Sequence, residues 1–432
     1  MTHSEKNIHI ITLGCSKNLA DSEKLHYQLT KAGYFVTHNQ NIDKCDTVII
    51  NTCGFINDAK EESINTIIEA ISLKTAGNIN KIIVFGCLSE RYMQELKAEI
   101  PEVNNWLGNY NPESLLRILG KSTLEKPEYG RHTDNPGHYA YLKIAEGCNR
   151  TCAFCAIPLI KGKFISQTKE SIIEEANWLS QKGVKELILI AQDLSYYGRD
   201  IYKKAMLPKL VEELSKIEKI EWIRLHYLYP AMFPNNLIDV MAENKKICKY
   251  ADIPFQHISD NMLKAMKRQH NKTSSMKLIE EFRNKIPNIA LRTTLLTGFP
   301  GETDRDYEEL LNFVRQVEFD RLGVFTYSHE ENTYAGERLK DNIPQKIKEE
   351  RAAYIMEIQE EISLKKNKEK IGKSIKVIVD NFNGEHYYGR TEFDSVEVDN
   401  DVIFTSETPM QPGNFINVKI NEAGSFELFG KA

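Results

Sequence analysis

Apolar positions along the chain fall into three textures. Up to about residue 122, short apolar runs end at a cysteine and give way to helical spacing. Ile8-His9-Ile10-Ile11-Thr12-Leu13 leads to Gly14-Cys15, Thr47-Val48-Ile49-Ile50-Asn51-Thr52 to Cys53-Gly54, and Lys81-Ile82-Ile83-Val84-Phe85-Gly86 to Cys87. Helical spacing follows each run, over 21–32, 58–73 and 89–100. The pattern predicts repeated strand and helix units around a parallel sheet. Right-handed crossovers place all strand carboxyl ends of such a sheet on one edge, so Cys15, Cys53 and Cys87 are expected to meet there. Any one of them alone reads as a small core hydrophobe; three at the same place in successive units read as a ligand set.

Residues 121–136 are polar, carry Pro127, Gly130 and Pro136, and read as a linker. Beyond them the pattern predicts a strand over 139–145, an amphipathic helix over 171–181 closed by Gly183, and strands over 186–191, 222–228, 250–253, 289–296 and 322–326 with helical stretches between. That alternation implies a full or partial TIM-like parallel barrel with its site at the strand carboxyl ends. Residues 345–370 read as a charged, solvated connecting helix. The third texture is a set of short strands, over 374–380, 387–391, 396–398, 402–405 and 415–420, with turns at Asn383-Gly384 and Pro412-Gly413. It predicts a small antiparallel, OB-like β-barrel. The fold class is thus multidomain α/β, with expected boundaries at 1–122, 134–363 and 366–432.

Composition adds constraints. The run Ile8-His9-Ile10-Ile11 behind a polar amino terminus is too short for a signal peptide or a membrane span, which points to the cytoplasm. Eight cysteines there argue for thiolate ligands over disulfides. The net charge of −5 advertises no nucleic-acid partner. Residues 371–432 hold five basic residues against ten acidic ones, a local balance equal to that of the whole chain. Glu392, Asp394, Glu397, Asp399 and Asp401 in one span read as an acidic face, either a solubilising surface or one that repels RNA and attracts a basic protein.

The densest chemistry lies at Cys148-x-x-x-Cys152-x-x-Cys155. Three thiolates leave a tetrahedral zinc one ligand short, whereas they hold three corners of a four-iron, four-sulfur cluster and leave one iron open. A structural zinc, with Cys248 or a distant histidine as fourth ligand, is the alternative. Cys45 and Cys248 otherwise read as core thiols. The stretch Glu146-Gly147-Cys148-Asn149-Arg150-Thr151-Cys152-Ala153-Phe154-Cys155 resembles the signature of the radical S-adenosylmethionine (radical SAM) enzymes.

Two cysteine trios and a terminal small barrel together resemble the radical SAM methylthiotransferases, over nearly the whole chain. Leu13-Gly14-Cys15-Ser16-Lys17-Asn18-Leu19-Ala20-Asp21-Ser22-Glu23 and Asn51-Thr52-Cys53-Gly54-Phe55-Ile56 look like the branch that modifies a ribosomal protein. Further matches are Ala191-Gln192-Asp193, Asp252-Ile253-Pro254-Phe255-Gln256-His257, Thr297-Gly298-Phe299-Pro300-Gly301-Glu302-Thr303, and Tyr327-Ser328 with Glu330-Glu331. Ser16, Lys161, Gln167 and Asn332 depart from the usual residues, and none is a cluster ligand. The resemblance implies a transferase with a methylthiotransferase amino-terminal domain, a radical SAM core and a TRAM domain. It implies two 4Fe-4S clusters, one on Cys148, Cys152 and Cys155 that cleaves S-adenosyl-L-methionine, and an auxiliary one on Cys15, Cys53 and Cys87 that carries the sulfur. Phe154, Gln192, Asp193, Gly298, Gly301 and Glu302 are candidates to contact the cofactor, ordinary turn chemistry being the alternative. His257 and Arg224 read as structural.

The implied substrate is the β-carbon of an aspartate in small-subunit ribosomal protein number twelve, a basic protein met free or in the ribosome. An electron donor protein is the second implied partner, with no membrane and no direct nucleic-acid binding. The competing readings are a tRNA adenosine methylthiotransferase and a zinc-stabilised, non-catalytic ribosome-binding protein.

Overall fold

The computed structural model describes residues 7–40, 44–121, 129–133, 137–234 and 236–432. The first segment folds around β1 (Asn7–Thr12), β2 (Phe35–His38), β3 (Cys45–Thr52), β4 (Ile79–Gly86) and β5 (Asn105–Trp106), parallel and ordered β2-β1-β3-β4-β5. Helices α1 (Ser16–Lys31), α2 (Asn57–Thr75) and α3 (Cys87–Glu99) follow β1, β3 and β4. Both faces of the sheet are covered, which is why its strands are apolar throughout instead of alternating. Val48, Ile50, Ile82 and Val84 pack toward Ile67, Leu88 and Leu96, while Ile8, Ile10, Ile49, Ile83 and Phe85 pack toward Leu25, Leu29, Leu115 and Leu116.

The central segment holds β6 (Tyr139–Lys143), a two-stranded antiparallel clip of β7 (Ala145–Glu146) and β8 (Ile165–Ser166), then β9 (Glu186–Ile190), β10 (Trp222–Leu225), β11 (Ile247–Asp252), β12 (Ala290–Thr297) and β13 (Arg321–Thr326). β6 and β9–β13 form one parallel sheet in chain order. It does not close, so of the two expected forms the partial barrel is the one built. Leu187, Leu189, Ile223, Leu225, Leu291 and Leu295 point outward into the helical layer. The clip brackets the cysteine loop: Cys148 donates its N–H to Gly162 at 3.1 Å. Gly147 (φ +77°) permits it, since a β-carbon there would lie 2.2 Å from the Lys163 carbonyl oxygen.

The last segment is a closed barrel of β14 (Ser374–Phe382), β15 (Tyr387–Thr391), β16 (Asp401–Thr405), β17 (Phe415–Ala423) and β18 (Glu427–Lys431), ordered β14-β15-β16-β18-β17. Residues 396–398 are not a strand as expected. β18, which the sequence reading missed, completes the barrel by pairing parallel to β16.

The acidic span also corrects its reading, because it is not one exposed face. Asp394 is fully buried and takes two guanidinium nitrogens of Arg321; Asp399 accepts the Tyr250 hydroxyl at 2.7 Å and lies 3.3 Å from Arg292. Glu392 accepts the Lys249 N–H at 3.1 Å, and its carbonyl takes Arg224 at 2.8 Å. Only Glu397 and Asp401 remain exposed. The carboxylates are the barrel's docking groups, matched to cations on β10, β12 and β13. Arg390 of the barrel joins Asp380 and reaches Glu186 of β9 at 2.8 Å, while Glu186 also holds Arg224 at 2.7 Å. An apolar seam of Trp222, Cys248, Tyr250 and Ala290 against Ile378 and Phe415 completes the junction.

The connecting helix is Gln345–Lys368, and it is not simply solvated. It buries Lys348, Arg351, Ile355, Ile358, Gln359, Ile362, Ser363 and Asn367 on the flank of the central domain and against the barrel. Arg351 pairs with Glu302, and Gln359 donates to the Phe319 carbonyl at 2.9 Å. Of the expected linker, residues 122–128 and 134–136 lie outside the described residues. Arg131 between them is buried and pairs with Glu23 and Glu175, tying α1 to the central domain. Among the described residues no helix is long and apolar enough to cross a membrane.

Candidate functional site

The parallel register of β1, β3 and β4 brings Cys15, Cys53 and Cys87 to one edge of the amino-terminal sheet. A lattice of buried polar groups fixes the loops that carry them. Asn18 Nδ2 donates to the carbonyls of Leu13 (2.9 Å) and Thr52 (3.1 Å); Asn51 Nδ2 donates to the Asn18 carbonyl (2.9 Å) and Ser22 Oγ (3.0 Å); Thr52 Oγ1 donates to the Phe85 carbonyl (2.8 Å). Ser63 Oγ closes on Cys53 from both sides, taking its N–H at 3.1 Å and donating to its carbonyl at 2.9 Å. Gly14 (φ +87°) brings the first loop against the second: a β-carbon there would lie 2.7 Å from Cys53 Sγ. Cys15 is exposed, while Cys53 and Cys87 are buried. Burial pushes the Cys53 thiol up and the Cys87 thiol to about 12, Lys161 opposing the latter.

The second trio sits in the loop after β7, at the carboxyl edge of the central sheet. Cys148, Cys152 and Cys155 are half-buried, and none of the eight cysteines is in a disulfide. Cys148 Sγ takes the Arg150 N–H at 3.4 Å, and Cys152 Sγ takes a guanidinium N–H of Arg268 at 3.3 Å. Burial lifts Cys148 to about 11 and Cys155 to about 12. Burial lifts the core thiols Cys45 and Cys248 as far, so what sets this trio apart is the pair of N–H donors in place for thiolate charge. Among the described residues no three His, Cys, Asp or Glu side chains converge on a single ion. A four-iron core asks something else of its ligands, one thiolate for each of three irons, and the donor set of each trio fits that demand.

The trios share a wall. Cys87 packs on Ala156 and Ile160, in the segment right after Cys155, and Asn109 Nδ2 donates to the Ile160 carbonyl at 2.6 Å. Across the same junction, Lys60 and Arg91 pair with Glu330 at 2.8 and 2.6 Å. Beside the wall, Lys143 pairs with Asp21 and Glu146, and Glu146 also accepts Gln192 Nε2 at 2.8 Å. Burial alone would raise Glu146, but Lys143 and Lys161 outweigh it and hold the carboxyl down to about 2.

The other candidate residues all lie at the carboxyl edge. Gln192 and Asp193 follow β9; the Gln192 side-chain oxygen is buried with no hydrogen-bond partner among the described residues, and Asp193 accepts Arg150 Nε at 2.8 Å. Phe154 meets the edge of Phe299 at 6.4 Å between centroids. Gly298 (φ +71°) and Gly301 (φ +88°) shape the turn after β12, and Glu302 buttresses that turn by accepting the Gly298 N–H and Arg351, each at 2.7 Å. Sequence reasoning passed over Lys17, Glu146, Arg150, Tyr227, Tyr229 and Arg268. Arg150 stacks 4.0 Å over the Tyr229 ring and Arg268 4.3 Å from it. Lys17, Glu146 and Arg150 were open to detection, lying inside the cysteine motifs; Tyr227, Tyr229 and Arg268 are distant in sequence. His257 and Arg224 are both fully buried, Arg224 in the docking network.

Residues 142–314 match the Radical SAM superfamily, residues 7–108 the uncharacterized protein family UPF0004, and residues 371–432 the TRAM domain. Among solved structures, the radical S-adenosylmethionine methyltransferase TsrM from Kitasatospora setae is similar in fold, with a TM-score of 0.57 at 12% identity over 77% of each chain. The cobalamin-dependent S-adenosylmethionine radical enzyme OxsB gives 0.53 at 10% identity, over 83% of this chain and 56% of that one. In sequence the chain is 53% identical to the ribosomal protein uS12 methylthiotransferase RimO of Bacteroides thetaiotaomicron, over 99% of this chain and 98% of the relative. The protein of that name from Flavobacterium psychrophilum is 50% identical with the same coverage. Identity at this level from end to end, through all three domains and both cysteine trios, means that the chain belongs to the RimO family of radical SAM methylthiotransferases.

Proposed function

We propose that this transferase places a methylthio group on the β-carbon of one aspartate of small-subunit ribosomal protein uS12, in the cytoplasm where ribosomes are. The substrate follows from what its relatives are named for. The observation that carries the reaction is the wall shared by the trios, Cys87 against Ala156 and Ile160.

Cys148, Cys152 and Cys155 would hold one 4Fe-4S cluster and Cys15, Cys53 and Cys87 a second. When bound, the clusters and S-adenosylmethionine supply one-electron cleavage, the methyl group and the sulfur. The rest is the protein's work. Arg268 and the Arg150 N–H stabilise sulfur charge on the central trio. Gly301 leaves the turn after β12 open for close backbone approach to the cofactor, with Gln192 offering its side-chain oxygen from the end of β9 and Phe154 an apolar flank. The Lys60, Arg91 and Glu330 pairs hold the two domains in register, so that the reacting groups are positioned before substrate arrives. An electron donor protein is the remaining partner.

The test is mass analysis of uS12 from a strain lacking the gene and from the same strain complemented. Loss of a methylthio-aspartate and its return support the proposal. An unchanged protein, with a methylthio group missing from tRNA instead, would refute it.

A further inference from the structure

The space beside the shared wall carries more positive charge than its own carboxylates neutralise. Three ammonium groups, Lys17, Lys143 and Lys161, face two carboxylates, Asp21 and Glu146, with the Cys15 sulfur also near Lys17 and the Cys87 sulfur near Lys161. Lys143 is paired with both acids. Among the described residues neither Lys17 nor Lys161 forms an ion pair, and neither hydrogen-bonds a cysteine sulfur as Arg268 does. Lys17 Nζ lies instead 3.6 Å from the centroid of the Tyr227 ring.

Tyr227 is held there at a conformational cost. It sits just past β10 at φ +60°, the left-handed region that a bulky residue rarely occupies. Its N–H donates to Asp252 Oδ2 at 3.0 Å and its carbonyl takes the Leu194 N–H at 3.1 Å. Lys17 is anchored from below, on the first turn of α1 beside Cys15, whose loop is locked by Asn18. Lysine and ring are thus fixed from two domains, at the carboxyl edge of both sheets. A half-buried cation resting on an aromatic face, with no paired carboxylate among the described residues, is poised for one from outside.

We infer that Lys17, seated on Tyr227, receives the carboxylate of the aspartyl side chain to be modified, with Lys161 as the second cation. This rests on the function proposed above. The β-carbon is bonded directly to the carboxylate carbon, so a grip on the carboxylate fixes the β C–H bond and makes Lys17 a specificity-determining residue. It also explains why an asparagine in the same loop would be refused: the neutral amide leaves the surplus charge unmatched.

The experiment measures binding to anaerobically reconstituted protein by uS12 and by uS12 with its modified aspartate replaced by asparagine, using wild type, Lys17→Met and Lys161→Met. Wild type should prefer the aspartate form by about tenfold or more. Lys17→Met should bring the two forms within about twofold by weakening the aspartate form alone, at unchanged iron and sulfide content. Lys161→Met should give a smaller change of the same sign. Discrimination retained in Lys17→Met would overturn the assignment, as would wild type binding both forms equally. Iron lost from Lys17→Met would also overturn it, showing that the lysine serves the auxiliary cluster instead. Failure of wild type to bind or modify uS12 at all is the separate outcome that removes the proposed function itself.

Discussion

Replacing Asp394 by alanine tests whether buried ion pairs hold the terminal barrel to the central sheet. The Asp394 side chain is fully buried, taking Arg321 Nε at 2.9 Å, a second nitrogen of the same guanidinium and the Thr391 hydroxyl. Its deletion strands Arg321, whose side chain is 7% exposed. Breaking one partner of such a pair costs about 3–5 kcal/mol. The low end applies here, since Arg321 keeps the Asp320 carbonyl at 2.5 Å, so we expect about 3 kcal/mol, or roughly a hundredfold in the docking equilibrium. Trp222 reports on the junction because its ring meets the edge of Phe415 at 4.9 Å. Urea titration of its fluorescence, in a background where Trp106 and Trp178 are phenylalanine, should show the docking transition at lower denaturant. Arg321→Met combined with Asp394→Leu should recover most of the loss, because neither charge is then left without its partner. A shift below about 1 kcal/mol in Asp394→Ala would refute the claim that this network carries the junction.

Three further outcomes follow from the same geometry. Cys148→Ala and Cys53→Ala should each lower iron from about eight to about four per chain, the first abolishing SAM cleavage and the second sparing it while abolishing transfer. Gly14→Ala should cost only about 1 kcal/mol of stability for its left-handed backbone, yet lower iron at the auxiliary trio, because the new methyl displaces Cys53 Sγ; metal analysis beside thermal unfolding separates the two effects. Burial holds His257 down to about 4, and its Nδ1 accepts the Ile258 and Ser259 N–H groups at 2.9 and 3.0 Å. The unfolded chain therefore binds the proton first as pH falls below 6.5, and this one group should remove ~1.4 kcal/mol of stability per pH unit from there toward 4, beside a fall of the same sign from the buried His26, His38 and His270. A urea series from pH 7 to 5 should show a slope shallower by that amount in His257→Asn, whose side-chain oxygen takes the same N–H groups without titrating.

The amino-terminal sheet and its three cysteines were legible because each strand is buried on both faces, and an uninterrupted apolar run ending at a cysteine survives any tertiary detail. The central strands were legible for the same reason. What stayed hidden was polar burial. The helix Gln345–Lys368 reads as solvated because much of its buried face is Lys348, Arg351, Gln359, Ser363 and Asn367, satisfied by partners that lie elsewhere in the sequence. The acidic span reads as a surface because charge pattern carries no record of Arg292 and Arg321 waiting on other strands. Within the site, local spacing betrays the two cysteine trios, but Lys17 and Tyr227 lie 210 positions apart and meet only once two domains are docked.

The covering of Cys87 by Ala156 and Ile160 bears on how the protein matures. One sulfur of the amino-terminal set has its back to another domain, so a severed amino-terminal fragment would leave it open to water and oxidants. On the cluster assignment proposed above, iron either reaches this set before that contact closes or passes by way of the exposed Cys15. A chain that seals too early is left with a single entrance, and the order of assembly becomes part of what decides how much active enzyme a cell obtains.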